Sequence, residues 1–222
     1  MVKQIDKAVQ INVEVLKSQL LRRKIMRERF RLPMTKEQAV DVLTAAYQAE
    51  VEYRKSEFVL DEQTKANIEH FALFLTNAGS RFGVMFSGVC GNGKTTLVYA
   101  FQTLLNYMRD RGLTDENAGI SIIDAKEVAY YAKDVKQFRQ LKERPMIAIE
   151  DMGREPVEVL EYGNVLNPVI DLLEYRYNAQ LFTIITTNLV PKEIRERYGN
   201  RIADRFNEMF DKVIFANQTY RK

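Results

Sequence analysis

Residues 83–96 read GVMFSGVCGNGKTT: a short apolar run, a loop with glycine at 88, 91 and 93, then a lysine and two threonines. Residues 88–95 fit G-x-x-x-x-G-K-[ST] at every fixed position, and the pattern has meaning only between a strand and a helix. Both are expected here, a strand over 84–87 and a helix over 94–109. Glycines let successive backbone N–H groups turn inward, and the helix that follows offers its positive end to an anion. The candidate nucleotide-binding stretch is therefore Gly88, Val89, Cys90, Gly91, Asn92, Gly93, Lys94, Thr95 and Thr96, with Lys94 directed at the β and γ phosphates of ATP and the Thr95 hydroxyl at Mg²⁺. The competing reading is a glycine turn that binds nothing. Cys90 reads as a small filler, because no neighbour in sequence supplies a base.

Outward from the loop, short apolar runs alternate with helical segments, the pattern of an α/β sheet. Strands are expected at 120–123, 146–149, 182–186 and 212–215, and helices at 126–131, 167–175 and 200–209. Before the loop the pattern is helical. Val9, Val13, Leu16 and Leu20 recur at steps of three and four residues within a helix expected over 7–29. Pro33 ends it, and Thr35 with Gln38 forms a capping box for a second helix over 36–54. Asp61 or Thr64 caps a third, which carries Ile68, Phe71, Ala72 and Leu75 on one side.

Hydrolysis needs carboxylates beside the phosphates. The stretch MIAIEDMG delivers Glu150 and Asp151 to the carboxyl end of an apolar strand, where ligands of open α/β sheets sit. Glu150 is assigned to Mg²⁺ and Asp151 to activation of the attacking water; two solvated acids at a strand end are the bland alternative. The strand at 120–123 falls between loop and acids in sequence, which by fold analogy favours motor-type ATPases over small-molecule kinases. In TIITTNL, Asn188 stands just past another buried strand, either to orient water or to form a turn before Pro191. In YGNRIADRF, Arg201 and Arg205 lie one helical turn apart. They either reach the phosphate of a neighbouring copy or pair with Asp204 on the surface.

Together GVCGNGKTT, IAIEDMG, TIITTNL and GNRIADRF resemble, in order and separation, the AAA+ ATPases of the DnaC/DnaI helicase-loader and IstB transposition-helper group, over residues 56–222. The resemblance implies a three-layer P-loop NTPase of the AAA+ ASCE type with a parallel sheet, preceded by a helical N-terminal arm over 1–55. It also implies an ATP site completed by a second copy in a ring or filament. On this reading residues 88–95 are Walker A, Glu150 and Asp151 are Walker B, Asn188 is sensor 1, and Arg205 is the arginine finger with Arg201 second. Two departures stand out. Glu150 occupies a position where the family usually has Asp, and the chain stops at FANQTYRK without a C-terminal helical lid domain, as loaders of this group also do.

Charge narrows the partners. Residues 1–36 hold ten Lys or Arg against three Asp or Glu in a chain of formal net charge +3, so the basicity is local and the remainder mildly acidic. The segment LLRRKIMRERFR, residues 20–31, contacts DNA phosphates, docks on a protein, or is simply solvated. Loaders of the group suggest docking on a replicative helicase, with single-stranded or double-stranded DNA second and a transposase as the alternative partner. A small-molecule P-loop kinase and a nucleotide-gated scaffold are the rivals from other classes. One cysteine permits no internal disulfide, no apolar run reaches a membrane-spanning length and no secretory signal is evident, so a cytoplasmic protein without a membrane partner is expected. The lone His70 reads as structural.

Overall fold

The computed structural model describes residues 12–23, 29–77, 79, 81–116, 118–156, 159–161, 164–217 and 219–220. Three helices come first: α1 (Val13–Arg23), α2 (Lys36–Tyr53) and α3 (Glu62–Thr76). The remainder alternates: β1 (Gly83–Gly88), α4 (Lys94–Asp110), β2 (Ser121–Asp124), α5 (Ala125–Ala132), α6 (Val135–Glu143), β3 (Met146–Met152), β4 (Val159–Glu161), β5 (Asn164–Leu166), α7 (Pro168–Ala179), β6 (Phe182–Thr187), α8 (Pro191–Met209) and β7 (Phe210–Phe215). No helix among the described residues is long and apolar enough to cross a membrane.

Five strands form one all-parallel sheet in the order β2-β3-β6-β1-β7, and β4 pairs with β5 as a separate antiparallel hairpin. Strand side chains alternate between faces, and the alternation sorts the core into two layers. Val84, Phe86, Met146, Ala148, Phe182 and Ile184 pack under α2, α3 and α4. Met85, Ile147, Ile149 and Ile185 pack under α5, α6, α7 and α8. The three-layer P-loop architecture expected from the sequence is the one the chain adopts. Strand β6 separates the loop-bearing β1 from the acid-bearing β3, while β2, the strand between them in sequence, lies at the edge.

The expected strands are found within two residues at each end except at the end of β3, which runs on through Glu150 and Asp151 to Met152. The β4–β5 hairpin and α6 carried no expectation, and α8 starts at Pro191, bending at Gly199 (φ 83, ψ 164) just before the expected helix at 200. Both N-terminal caps form as read: Thr35 and Gln38 bond reciprocally, and the Asp61 carboxylate accepts the Thr64 amide at 2.7 Å. Of the helix expected over 7–29, residues 13–23 are helical and most of the rest lies outside the described residues. Residues 32–53, assigned by sequence to the arm, pack with the core. Leu32, Ala39, Leu43 and Tyr47 are buried in the same cluster as Phe71 and Phe101. By contrast, Val13, Leu16 and Leu20 of α1 are exposed.

Candidate nucleotide-binding site

Strand β1 ends at Gly88, whose φ of 148° and surroundings admit no side chain: a Cβ there would lie 2.3 Å from the Phe215 carbonyl oxygen. The loop is anchored to β7 by Asn92, which is buried and donates its amide to that same oxygen at 2.8 Å. Gly93, left-handed at φ 93°, starts α4 without a side-chain cap hydrogen bond, so the cap residue itself does not compete for the helix's first amides. A Cβ on Gly93 would meet the Tyr47 hydroxyl at 2.1 Å, which shows how closely α2 lies on the loop. Cys90, read from the sequence as a small filler, is exposed.

Lys94 is almost fully buried. Its ammonium donates to the Gly88 and Val89 carbonyls at 2.7 Å each, to Asn92 Oδ1 at 3.1 Å and to Asn188 Oδ1 at 2.9 Å. Residues 94 apart in the chain thus meet at the tip of β6. The threonines before Asn188 lock the neighbouring strand: Thr186 Oγ1 accepts the Asp151 amide at 2.9 Å, and Thr187 Oγ1 donates to the Met152 carbonyl at 2.6 Å.

Between these bonds β3 bulges. Ile149 pairs with Ile185 but Met152 with Thr187, so β3 carries one residue more than its partner, which turns a strand locally and re-aims its side chains. Asp151 takes φ 52°, a conformation that a non-glycine residue holds only where the surroundings impose it. Glu150 lies near enough to the loop for the Thr95 hydroxyl to favour its ionised form. Its carboxyl is pushed up to about 7, chiefly by burial, with the Thr95 bond opposing and the Asp151 charge adding to the rise. Its Oε1 is buried without a hydrogen-bond partner. A hydroxyl beside a carboxylate with one unused oxygen suits a small oxygen-seeking cation such as Mg²⁺, which takes one or two protein ligands and fills its shell with water and phosphate.

The residues from Gly88 to Thr96, Glu150 and Asn188 therefore converge at the carboxyl end of the sheet, with Asp151 beside them on the bulge. Arg201 and Arg205 do not join them. Both reach Glu174 of α7, Arg205 at 2.9 Å, and Arg205 also lies over the Tyr177 ring. Asp204, the partner considered from sequence, pairs instead with Arg195 at 3.4 Å. His70 meets Asp211 at 3.3 Å, far in the fold from the loop. Sequence reasoning missed three contributors. Tyr47 abuts Gly93, Arg54 places positive charge near Glu150, and Arg154 forms an ion pair with Asp151 at 2.5 Å. Only Arg154 had a local signal, three residues past the acid in a turn marked by Gly153.

No family model matches the chain, and no curated protein matches it in sequence. Solved structures do. A DnaC helicase loader superposes with a TM-score of 0.55 at 21% identity over 71% of this chain and 93% of that one. The fold is similar to that of this DnaC structure. DnaI gives 0.55 at 17% identity over 86% of this chain and 96% of its own, and a putative primosome component from Streptococcus pyogenes serotype M3 gives 0.54 at 15% over 80% and 98%. At these identities the likeness extends to the fold, and the chemistry rests on the residues above.

Proposed function

We propose that this chain is an AAA+ ATPase of the DnaC/DnaI type, which uses ATP and Mg²⁺ to place a replicative helicase on single-stranded DNA. The observation that carries the reading is the meeting of Lys94 with Asn188 and of Thr95 with Glu150 at one end of the sheet. It brings three separated sequence motifs together at one end of the sheet, on a fold similar to that of a DnaC helicase loader, which supports a phosphate-and-metal site there.

In this reading the loop amides and Lys94 hold the β and γ phosphates, and Thr95 and Glu150 hold Mg²⁺, which neutralises phosphate charge when bound. Asp151 takes a proton from the attacking water as its oxygen bonds to the γ-phosphorus and the bond to ADP breaks. Asn188 orients that water. The arginine comes from a neighbouring copy in a ring or filament. The family resemblance favours Arg205; exposure favours Arg201, whose side chain is 70% exposed against 24%. Either must leave Glu174 to serve.

The apolar face of α1, with Leu16 and Leu20 exposed, is the proposed helicase-docking surface. Because Leu32 is buried in the core, truncation through residue 35 would damage the fold, so the test uses the full chain with Leu16→Asp and Leu20→Asp. Recovery of a hexameric helicase from the native cell with wild type and its loss with the double variant supports loading. Recovery of a transposase instead moves the chain to the IstB-like regulators. ATP turnover stimulated by a small metabolite and indifferent to DNA or helicase would move it to the kinases.

A further inference from the structure

A basic hollow lies at the amino end of the sheet, opposite the phosphate loop. It has a volume of about 690 Å³, between residues 29–31 and the residues that lead into β1 and β6 and open β7. Three guanidiniums line it. Arg81 is neutralised by Asp211 at 3.3 Å. Arg29 donates to Gln180 Oε1 at 3.3 Å and lies over the Phe82 ring at 4.9 Å. Arg31 donates to the carbonyls of Phe30 and Gly79, lies over the Phe74 ring at 5.7 Å, and keeps its Nε buried without a partner. Among the described residues no carboxylate offsets either charge: burial holds both below the ordinary arginine range, and Arg29 lowers Arg31 further. Glu208, the other acid in the lining, accepts the Tyr177 hydroxyl.

Two unneutralised guanidiniums one residue apart repel each other and gain from a shared anion. A carboxylate offers two oxygens, whereas a phosphate monoester offers three and carries more charge, so phosphate is the better match for two planar forks. The volume exceeds that of phosphate alone and falls in the range of small-ligand sites. Asn77, Asn178 and Asn207 bring amides to the wall and Tyr177 brings a ring, groups that suit the polar edge and the flat face of a base. We infer that this hollow is a second nucleotide site, in which Arg29 and Arg31 hold a phosphate monoester. The monoester belongs either to a free nucleotide or to the 5′ end of a nucleic-acid strand. The hollow shares no residue with the loop, the acid pair or Asn188, so the inference does not depend on the ATP reading.

The test is calorimetry on the full chain, with magnesium and a non-hydrolysable ATP analogue present to fill the loop. Each of the four nucleoside monophosphates is titrated in turn, and at least one should bind saturably while its nucleoside does not. Arg29→Gln and Arg31→Gln should each weaken that binding about 10- to 100-fold, and Lys at either position should recover part of it. Arg29 makes one side-chain hydrogen bond with the described residues, so Arg29→Gln should melt as wild type does without ligand, and the monophosphate should raise the melting temperature of wild type alone. Competition by a 5′-phosphorylated oligothymidylate but not by its 5′-hydroxyl counterpart supports the site with a strand end as its ligand; binding of the monophosphate without such competition supports it with a free nucleotide. Failure of all four monophosphates to bind wild type, undiminished binding to Arg29→Gln, or binding of an oligoglutamate peptide in their place overturns the inference and leaves the arginines as ties between residues 29–31 and the core.

Discussion

Two buried cations stand at opposite ends of the sheet. At the amino end, Arg176 of α7 is wholly buried, donating to Thr183 Oγ1 and to the carbonyls of Lys142, Arg144 and Phe182 at 2.6–3.1 Å. Those acceptors belong to the end of α6, the approach to β3 and the start of β6, and the sheet fixes them. At the carboxyl end, Lys94 is just as well supplied with oxygens, but they belong to its own glycine-rich loop and to two side-chain amides. Burial and saturated hydrogen bonding do not by themselves distinguish a structural cation from a functional one. What differs is whether the acceptors can be exchanged. Nothing can replace the Arg176 acceptors without dismantling two strand ends, whereas phosphate oxygens can replace the carbonyls around Lys94. The neighbouring Glu150, buried with one oxygen unpaired, marks the same end as incomplete.

The largest effect that this contrast predicts is structural. Arg176→Ala leaves several buried carbonyls without donors and should cost about 3–5 kcal/mol of stability, read by urea unfolding; a loss below 1 kcal/mol would break the contrast at its amino end. Glu150→Gln should act in the opposite direction and only at higher pH. With its carboxyl raised from 4.5 to about 7, the folded protein holds a proton that the unfolded chain has lost across that interval. Wild-type stability therefore declines as pH rises from about 4.5 to 7, by at most about 3 kcal/mol. Unfolding without nucleotide or Mg²⁺ should find the Gln variant more stable at pH 8 and equal to wild type at pH 4; parallel pH profiles would mean that Glu150 is solvated.

Lys94→Ala should separate binding from stability. Loss of charge-assisted bonds to phosphate weakens ATP about 10- to 100-fold. The freed loop carbonyls can turn to water, so unfolding should shift by less than about 1 kcal/mol. Destabilisation matching that of Arg176→Ala would make Lys94 a structural cation too.

The two ends were not equally legible in the sequence. The loop, the acid pair and Asn188 could be read because their chemistry demands fixed residue types at fixed spacing around strand ends, and alternating apolar residues placed those strands. Arg176 left no such trace. It stands in an amphipathic helix as any surface arginine would, and its acceptors are carbonyls, which every residue has. Tyr47 was obscured for the same reason, since its partner is defined by the packing of α2 on the loop. The assignment of α2 to an arm came from where the family resemblance begins, at residue 56, whereas Leu43 and Tyr47, its buried face, tie it to the core. The arginine pair on α8 was read correctly as sharing one face but with the wrong acid, because Glu174 approaches from α7, a contact that only the fold creates.

The smallest effect concerns the amide that joins β6 to the loop. Asn188 is one of several acceptors around Lys94, and a single such bond contributes about 1 kcal/mol. If ATP replaces the carbonyls while the amide only steadies the lysine, Asn188→Ala should change ATP affinity by less than about fivefold. It should lower turnover more than affinity, because water orientation is lost while phosphate contacts remain. Calorimetry beside steady-state turnover separates the two. Should Asn188→Ala weaken ATP as much as Lys94→Ala does, the amide itself grips the phosphate, and the exchangeable shell around the lysine is smaller by one member than the comparison with Arg176 requires.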